Sequence, residues 1–177
     1  MRLNKRNVQT ITVYALILGT LYLVIGAIEF ITGFWDLLSP GSAESVLGIP
    51  VDVYGGFATI VIGAAYFGTT SLWRGRHESL GFVLVGSLLS AVFGALYLLI
   101  VGADGLEALL ACWSGEKWTW EWLTSGTAGP GLLRPEIWLA FVSLPRGYTV
   151  LKATRTKKKI NVKVISAMKE KFQNFRF

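Results

Sequence analysis

The sequence predicts an all-α fold, a four-helix transmembrane bundle with both termini in the cytoplasm. Its 177 residues are 53% hydrophobic, with a mean hydropathy of +0.52. They contain three long apolar runs and a weaker fourth run, and about 20 apolar residues are enough to cross the hydrocarbon core of a bilayer. Along the chain, connecting segments that are rich in lysine and arginine alternate with segments that have few of them. These observations predict a small multi-pass protein of the cell membrane.

The first apolar run extends from Ile11 to Trp35 and carries one formal charge, Glu29. A basic N-terminus followed by an apolar run also describes a secretory signal. This run, however, exceeds the roughly 7–15 apolar residues of a signal and lacks a small-residue cleavage site. We therefore expect a first helix, at about 11–35, that the mature protein retains.

The other helices are predicted at about 53–73, 80–101 and 135–151. The fourth is the least regular, because Pro145 and Arg146 interrupt its apolar residues. A proline is tolerated in a membrane span, so we predict a full span, with a re-entrant or interfacial segment as the alternative. Residues 1–151 then form the transmembrane domain, and 152–177 form a cytoplasmic tail.

The orientation follows from the basic residues. The N-terminus, the short loop at Arg74 and Arg76, and the tail hold most of the 17 lysines and arginines. The other two connections hold only Lys117 and Arg134. Since short cytoplasmic loops are enriched in lysine and arginine, both termini are predicted inside and the long connection 102–134 outside.

That outer connection contains four of the seven tryptophans. Leu106, Leu109, Leu110 and Trp113 recur at helical spacing, which predicts a short amphipathic helix lying flat on the membrane. The next three tryptophans alternate, as in an extended segment. Indole rings favour the membrane–water interface. The predicted outer membrane-surface residues are Trp113, Trp118, Trp120 and Trp122.

The tail, 152–177, has nine basic residues and one acid. Ile165, Met168, Phe172 and Phe175 lie on one face of a predicted helix. A basic amphipathic helix is typical of segments that bind an anionic inner leaflet, and the alternative is a topology anchor that docks on the protein's own cytoplasmic side. Membrane proximity accounts for the charge, so nucleic-acid binding is not predicted. The predicted leaflet contacts are Lys157, Lys158 and Lys159.

A Gly-Ala motif recurs in three helices, at 24–30, 61–67 and 92–98. Small residues let helix backbones approach closely in lipid, where the hydrophobic drive for helix association is weak. The repetition indicates either a duplicated hairpin with a shared site or convergent packing. The predicted packing residues are Gly19, Gly26, Gly33, Gly63 and Gly94.

Glu29 and Tyr97 occupy the same position of this motif, the sixth, in two helices that are predicted to run in the same direction. A carboxyl within a membrane span is costly and is a functional candidate by default. Glu29 could relay a proton, bind a cation or form a hydrogen bond with a lipid headgroup. It could also accept a hydrogen bond from Tyr97 and simply fasten two helices.

No phosphate-binding loop, zinc-protease motif or dinucleotide fingerprint is present. Cys112, the single cysteine, excludes an internal disulfide, and His77 is expected to be a solvated loop residue. We predict no catalytic residue, metal or cofactor. The favoured function is a non-enzymatic subunit or scaffold that packs as a homo-oligomer or in a larger membrane complex. The alternatives are a small transporter or channel component using Glu29, and an enzyme or redox accessory acting on lipids or quinones.

At Leu72-Trp73-Arg74-Gly75-Arg76 and in its general layout, the chain resembles small prokaryotic four-helix membrane proteins, including the DoxX-like group. The resemblance implies a membrane-embedded accessory or redox-linked subunit. It carries over no catalytic residues.

Overall fold

A computed structural model describes residues 5–41, 49–74, 77–127 and 129–152. Over these ranges all regular structure is helical, which confirms the all-α class, and an isolated bridge joins Gly126 to Gly129. Short 3₁₀ turns join or follow the main helices. The four main helices are α1 (Lys5–Leu38), α2 (Val53–Phe67), α3 (Leu80–Trp113) and α4 (135–152).

Three helical segments are long and apolar enough to cross a membrane: Val8–Leu38, Val53–Leu72 and Leu80–Trp113. Helix α4 is not among them, so its full span stays a prediction, as does the cytoplasmic location of the termini. The predictions for the tail, including the leaflet contacts Lys157, Lys158 and Lys159, concern residues outside the described ones.

Helices α1 and α2 have different ends from those predicted. The prediction followed the apolar residues, whereas the helix ends follow the backbone hydrogen bonds. Helix α1 extends beyond 11–35 at both ends, because backbone hydrogen bonds continue into the polar flanks. Helix α2 stops at Phe67 and a 3₁₀ helix, Gly68–Arg74, completes the predicted segment. There the Thr69 hydroxyl donates to the Tyr66 carbonyl at 2.6 Å, and such side-chain bonds compete with the regular helical pattern.

Helix α3 corrects the prediction of a separate surface helix. It continues without a break past Val101 to Trp113 and includes Leu106 and Leu110. Gly102 and Gly105 lie in this stretch, and each glycine costs a helix only about 1 kcal/mol. Without a proline to remove a backbone donor, the helix is not interrupted.

Among α1, α2 and α3, helices α1 and α2 make the most extensive contact. A Cβ atom added at Gly26 would lie 2.8 Å from the Gly56 carbonyl oxygen and from the Ile60 nitrogen, and one at Gly63 would lie 3.0 Å from the Gly19 carbonyl oxygen. Real Cβ atoms do not approach backbone atoms at 2.8 Å. The two backbones therefore touch at these glycines.

The largest buried cluster includes Tyr22 and Tyr66, whose rings stack with centroids 6.0 Å apart. The Tyr22 hydroxyl is hydrogen-bonded to Ser90 Oγ, and Ser143 Oγ donates to the same atom at 2.9 Å. Hydrogen bonds therefore join α1, α3 and α4 through their core. A smaller cluster of Tyr97, Val101 and Ile137 lies beside the polar groups described next.

Candidate functional site

The candidate site lies at the end of the bundle where α1 ends and α2 and α4 begin. Glu29 lies nine residues before the end of α1, or about 13 Å along its axis at 1.5 Å per residue. Asp52 and Arg134 directly precede α2 and α4, and Tyr97 lies in α3. The chain topology thus brings four polar residues from distant positions to one end of the bundle.

Asp52 caps the N-terminus of α2. Its backbone is extended (φ −147°, ψ 104°), and its Oδ1 accepts a 2.9 Å hydrogen bond from the Gly55 amide. An aspartate in this position satisfies a backbone donor that the first helical turn leaves free. The cap also fixes the direction of Oδ2, which accepts a hydrogen bond from Arg134 Nη2 at 2.6 Å.

Gly55 is required by this arrangement. A Cβ atom there would lie 2.6 Å from Asp52 Oδ2 and 2.8 Å from Arg134 Nη2. A side chain at Gly55 would therefore occupy the space in which the ion pair forms.

Arg134 is the centre of the cluster and is only 3% exposed. Its Nε donates to Glu136 Oε2 at 3.2 Å, and its Nη2 donates to the Tyr97 hydroxyl at 3.0 Å. The guanidinium carbon lies 3.7 Å from the centroid of the Tyr97 ring. Glu29 Oε1 lies 3.9 Å from Nη2, an ion pair without a hydrogen bond. We call Glu29, Asp52, Tyr97, Arg134 and Glu136 the arginine cluster.

The sequence Arg134-Pro135-Glu136 explains the geometry of α4. Proline suits the first position of a helix because its φ angle is already helical and it needs no amide hydrogen. Glu136 then falls in the first turn, where the helix dipole favours a negative charge. Arginine suits the central position because its planar group offers five donors and can stack on an aromatic ring.

The cluster changes the acidity of Asp52 and Arg134, which lie outside the candidate membrane spans. Burial by itself would raise the pKa of Asp52, but the Gly55 amide and Arg134 outweigh it and hold the pKa below its ordinary value. Burial would lower the pKa of Arg134, but Glu136, Tyr97 and Asp52 together raise it. Asp52 is therefore a carboxylate and Arg134 a cation at neutral pH.

Glu29 differs from the other acids of the arginine cluster. It is fully buried, and among the described residues neither of its carboxyl oxygens has a hydrogen-bond partner. Glu136 Oε1 is likewise without one in that part of the chain. The cluster holds three carboxyl groups and one guanidinium, so the acids outnumber the base.

The structure corrects the predicted bond between Tyr97 and Glu29. The Tyr97 hydroxyl donates to Asp52 Oδ2 at 3.1 Å instead. The two residues do belong to one cluster, but Arg134 connects them. Sequence reasoning missed this because it assigned Arg134 to an exposed loop and did not consider charges at the helix starts.

Three residues of the cluster were therefore missed: Asp52, Arg134 and Glu136. A signal for them was present. Asp52 precedes an apolar run as a capping residue does, and the Arg-Pro-Glu sequence marks a helix start. A helix start at the same end of the bundle as Glu29 could have been identified as its neighbour.

The predicted packing glycines lie at helix contacts. A Cβ atom at Gly19 would lie 3.0 Å from the Phe67 ring, and one at Gly33 would lie 2.5 Å from the Val53 nitrogen. A Cβ atom at Gly94 would lie 2.5 Å from that of Ala140, which identifies a close contact between α3 and α4.

The predicted outer tryptophans divide into two groups. Trp113 ends α3 and is 84% exposed. Trp118, Trp120 and Trp122 form a cluster with ring centroids 5.3–6.3 Å apart. A cleft of about 250 Å³ beside Trp122 is lined by residues that include Asp104 and Glu107. Asp104 accepts hydrogen bonds from Thr127, which holds this loop against α3.

The three long apolar helices define a class: this is an integral, multi-pass membrane protein made of helices. The chain belongs to the family described as the MJ0565 integral membrane domain, whose model matches residues 4–153. It is 29% identical over 116 residues to "Uncharacterized protein MJ0565" of Methanocaldococcus jannaschii, covering 65% of this chain and 76% of that protein. No solved structure matches. The resemblance to DoxX-like proteins stays a prediction.

Proposed function

We propose that the protein is a non-enzymatic membrane subunit that packs against itself or a larger membrane complex. The observation that supports this most is the pairing of its charged residues. Glu29, Arg134 and Glu136 are each 3% exposed or less and face one another inside the bundle. Their geometry suits a polar connection between helices better than a site that binds and releases a solute.

The C-terminal part of α3 supports a partner surface. The helix has 34 residues and is about 51 Å long at 1.5 Å per residue, whereas the hydrocarbon core is about 30 Å thick. Leu106, Leu110 and Trp113 near its end are 63%, 59% and 84% exposed. We propose that this surface extends beyond the lipid, where exposed apolar surface is typical of a contact with another protein.

A small transporter or channel component is the second candidate, and one observation favours it. The carboxyl of Glu29 is buried without a hydrogen-bond partner among the described residues. Ionisable residues inside a span often mark a path for ions or protons. This candidate requires that ion movement depend on Glu29.

Native mass spectrometry of the protein extracted from its own membrane in nanodiscs would test the subunit proposal. We expect a defined homo-oligomer or a stoichiometric complex that the double variant Leu106→Ser, Leu110→Ser disrupts. The variant Glu107→Gln, in the same turn and also exposed, should leave it intact.

Ion flux in proteoliposomes would distinguish the second candidate. The subunit proposal predicts that wild type and Glu29→Gln give the same background flux. A monomer in native membranes would contradict the proposal. A proton or cation flux lost in Glu29→Gln would contradict it in favour of transport.

A further inference from the structure

We propose that the arginine cluster contains a bound proton, carried by the Glu29 carboxyl and donated in a hydrogen bond to Glu136 Oε1. The proton is the ligand that we assign to the cluster. The assignment is independent of whether the protein is a subunit or a transporter. It rests on the unpaired oxygen atoms, on the unequal surroundings of the three acids, and on the charge balance.

The unpaired oxygen atoms indicate a missing donor. Glu29 is fully buried, yet neither of its oxygens accepts a hydrogen bond within the described part of the chain, and Glu136 Oε1 has none either. Leaving a buried acceptor unsatisfied costs about 1–3 kcal/mol, more when it is charged. Arg134 brings the two acids together, because its Nη2 lies 3.9 Å from Glu29 Oε1 and its Nε lies 3.2 Å from Glu136 Oε2. One proton on Glu29 would supply the donor for Glu136 Oε1.

The surroundings of the three acids decide which one holds the proton. Asp52 accepts bonds from the Gly55 amide, Tyr97 and Arg134. Glu136 accepts one from Arg134 and lies in the first turn of α4, at the positive end of its dipole. Glu29 lies inside α1 and not in the first turn of a helix, and its contact with Arg134 is 3.9 Å long. Its negative charge is the least compensated of the three.

The charge balance supports the same assignment. Within the described residues, the charged and titratable groups gathered with Glu29 around Arg134 are Asp52 at the start of α2, Tyr97 on α3 and Glu136 at the start of α4. With all three acids ionised, the cluster would hold three negative charges against one positive charge. Buried ions are strongly unfavourable unless they are compensated, and adjacent carboxyls favour a state in which they share a proton.

A proton fits this position better than a metal ion. Over the described residues no group of three or more His, Cys, Asp or Glu side chains is arranged to hold a metal. The Arg134 guanidinium lies 3.9 Å from Glu29 Oε1 and would repel a cation bound there. A neutral carboxylic acid is compatible with both the guanidinium and the Glu136 carboxylate. The proton therefore joins α1 to α4.

Infrared spectroscopy of the full chain in lipid nanodiscs tests this inference. Labelling with ¹³C-glutamate separates the eight glutamates from the three aspartates. At neutral pH we expect the C=O band of a protonated carboxylic acid, with an intensity of one group per chain and a shift in D₂O. The band should vanish in Glu29→Gln and persist in Glu116→Gln, a control at an exposed position.

Several results would overturn the inference. A wild-type spectrum without a protonated glutamate band would do so even if Glu29→Gln failed to fold. A band that survives in correctly folded Glu29→Gln would place the proton elsewhere. The spectra would be recorded in a buffer whose only cation is choline and again in one that contains Na⁺. Loss of the band in Na⁺ would identify a metal cation, not a proton, as the ligand. None of these results depends on the oligomeric state, so the inference and the subunit proposal fail separately.

Discussion

Arg134 lies over the ring of Tyr97, with its guanidinium carbon 3.7 Å from the ring centroid, and also donates to the hydroxyl of that tyrosine at 3.0 Å. The ring restricts the guanidinium plane, and the hydroxyl in turn donates to Asp52. Cation–π contacts are strongest where both groups are removed from water. This pair therefore fixes the arginine that connects α1, α2, α3 and α4.

Replacing the arginine should be strongly destabilising. In Arg134→Met the carboxylates of Asp52 and Glu136 lose their counter-charge, and breaking a buried ion pair costs about 3–5 kcal/mol. The free energy of unfolding in mixed micelles measures the loss. The free energy of unfolding of Arg134→Lys should lie between those of wild type and Arg134→Met. Lysine keeps the charge but cannot bind several acceptors in one plane.

Two controls accompany that measurement. Lys117→Met, at an exposed position, should change stability by no more than about 0.5 kcal/mol. Tyr97→Phe keeps the ring and removes only the hydroxyl, so it should cost about 0.6–1.7 kcal/mol, the range for interhelical hydrogen bonds in membranes. An Arg134→Met protein as stable as wild type would show that the arginine cluster does not hold the helices together.

Asp52 should make stability depend on pH in the acid range. Its pKa is lower in the folded protein than its ordinary value of about 3.9, so the folded state favours the carboxylate. Its contribution is fully present above that value and is lost as the pH falls through the folded pKa. We therefore expect the melting temperature to fall more steeply below about pH 4 in wild type than in Asp52→Asn.

The asparagine in that variant can still cap α2, so a difference in slope reports the ion pair with Arg134. Glu116→Gln, at an exposed position, should retain the wild-type slope. Identical slopes in wild type and Asp52→Asn would mean that Asp52 contributes no charge-dependent stability.

Gly26→Leu should disrupt the contact between α1 and α2. Even a Cβ atom at Gly26 would lie 2.8 Å from the backbone of α2, and overpacking a well-packed core typically costs about 1–3 kcal/mol. The matched control is Gly102→Leu, because a Cβ atom at that helical glycine would have no atom within 4 Å. Thermal melting in detergent compares the two. Equal melting temperatures for both variants would contradict the packing of α1 on α2.

Much of the fold could be predicted because its signals are local in the sequence. An apolar run such as Ile11 to Trp35 has to form a helix in lipid, where backbone groups find no other hydrogen-bond partners. The end of α3 could not be placed in the same way. Its second half is more polar and contains Gly102 and Gly105, features that resemble a loop start although they do not prevent a helix.

The sequence by itself determined the class of protein and its main helices, because hydropathy is a property of single segments. It also marked Glu29 as a candidate, because a lone charge within a span is visible in one segment. Only the tertiary structure decided what surrounds Glu29. Asp52, Arg134 and Glu136 reach it from helix starts that are 23, 105 and 107 positions away along the chain. Which helix starts meet depends on how α1, α2, α3 and α4 pack, and charges brought together by packing leave no periodic pattern in the sequence.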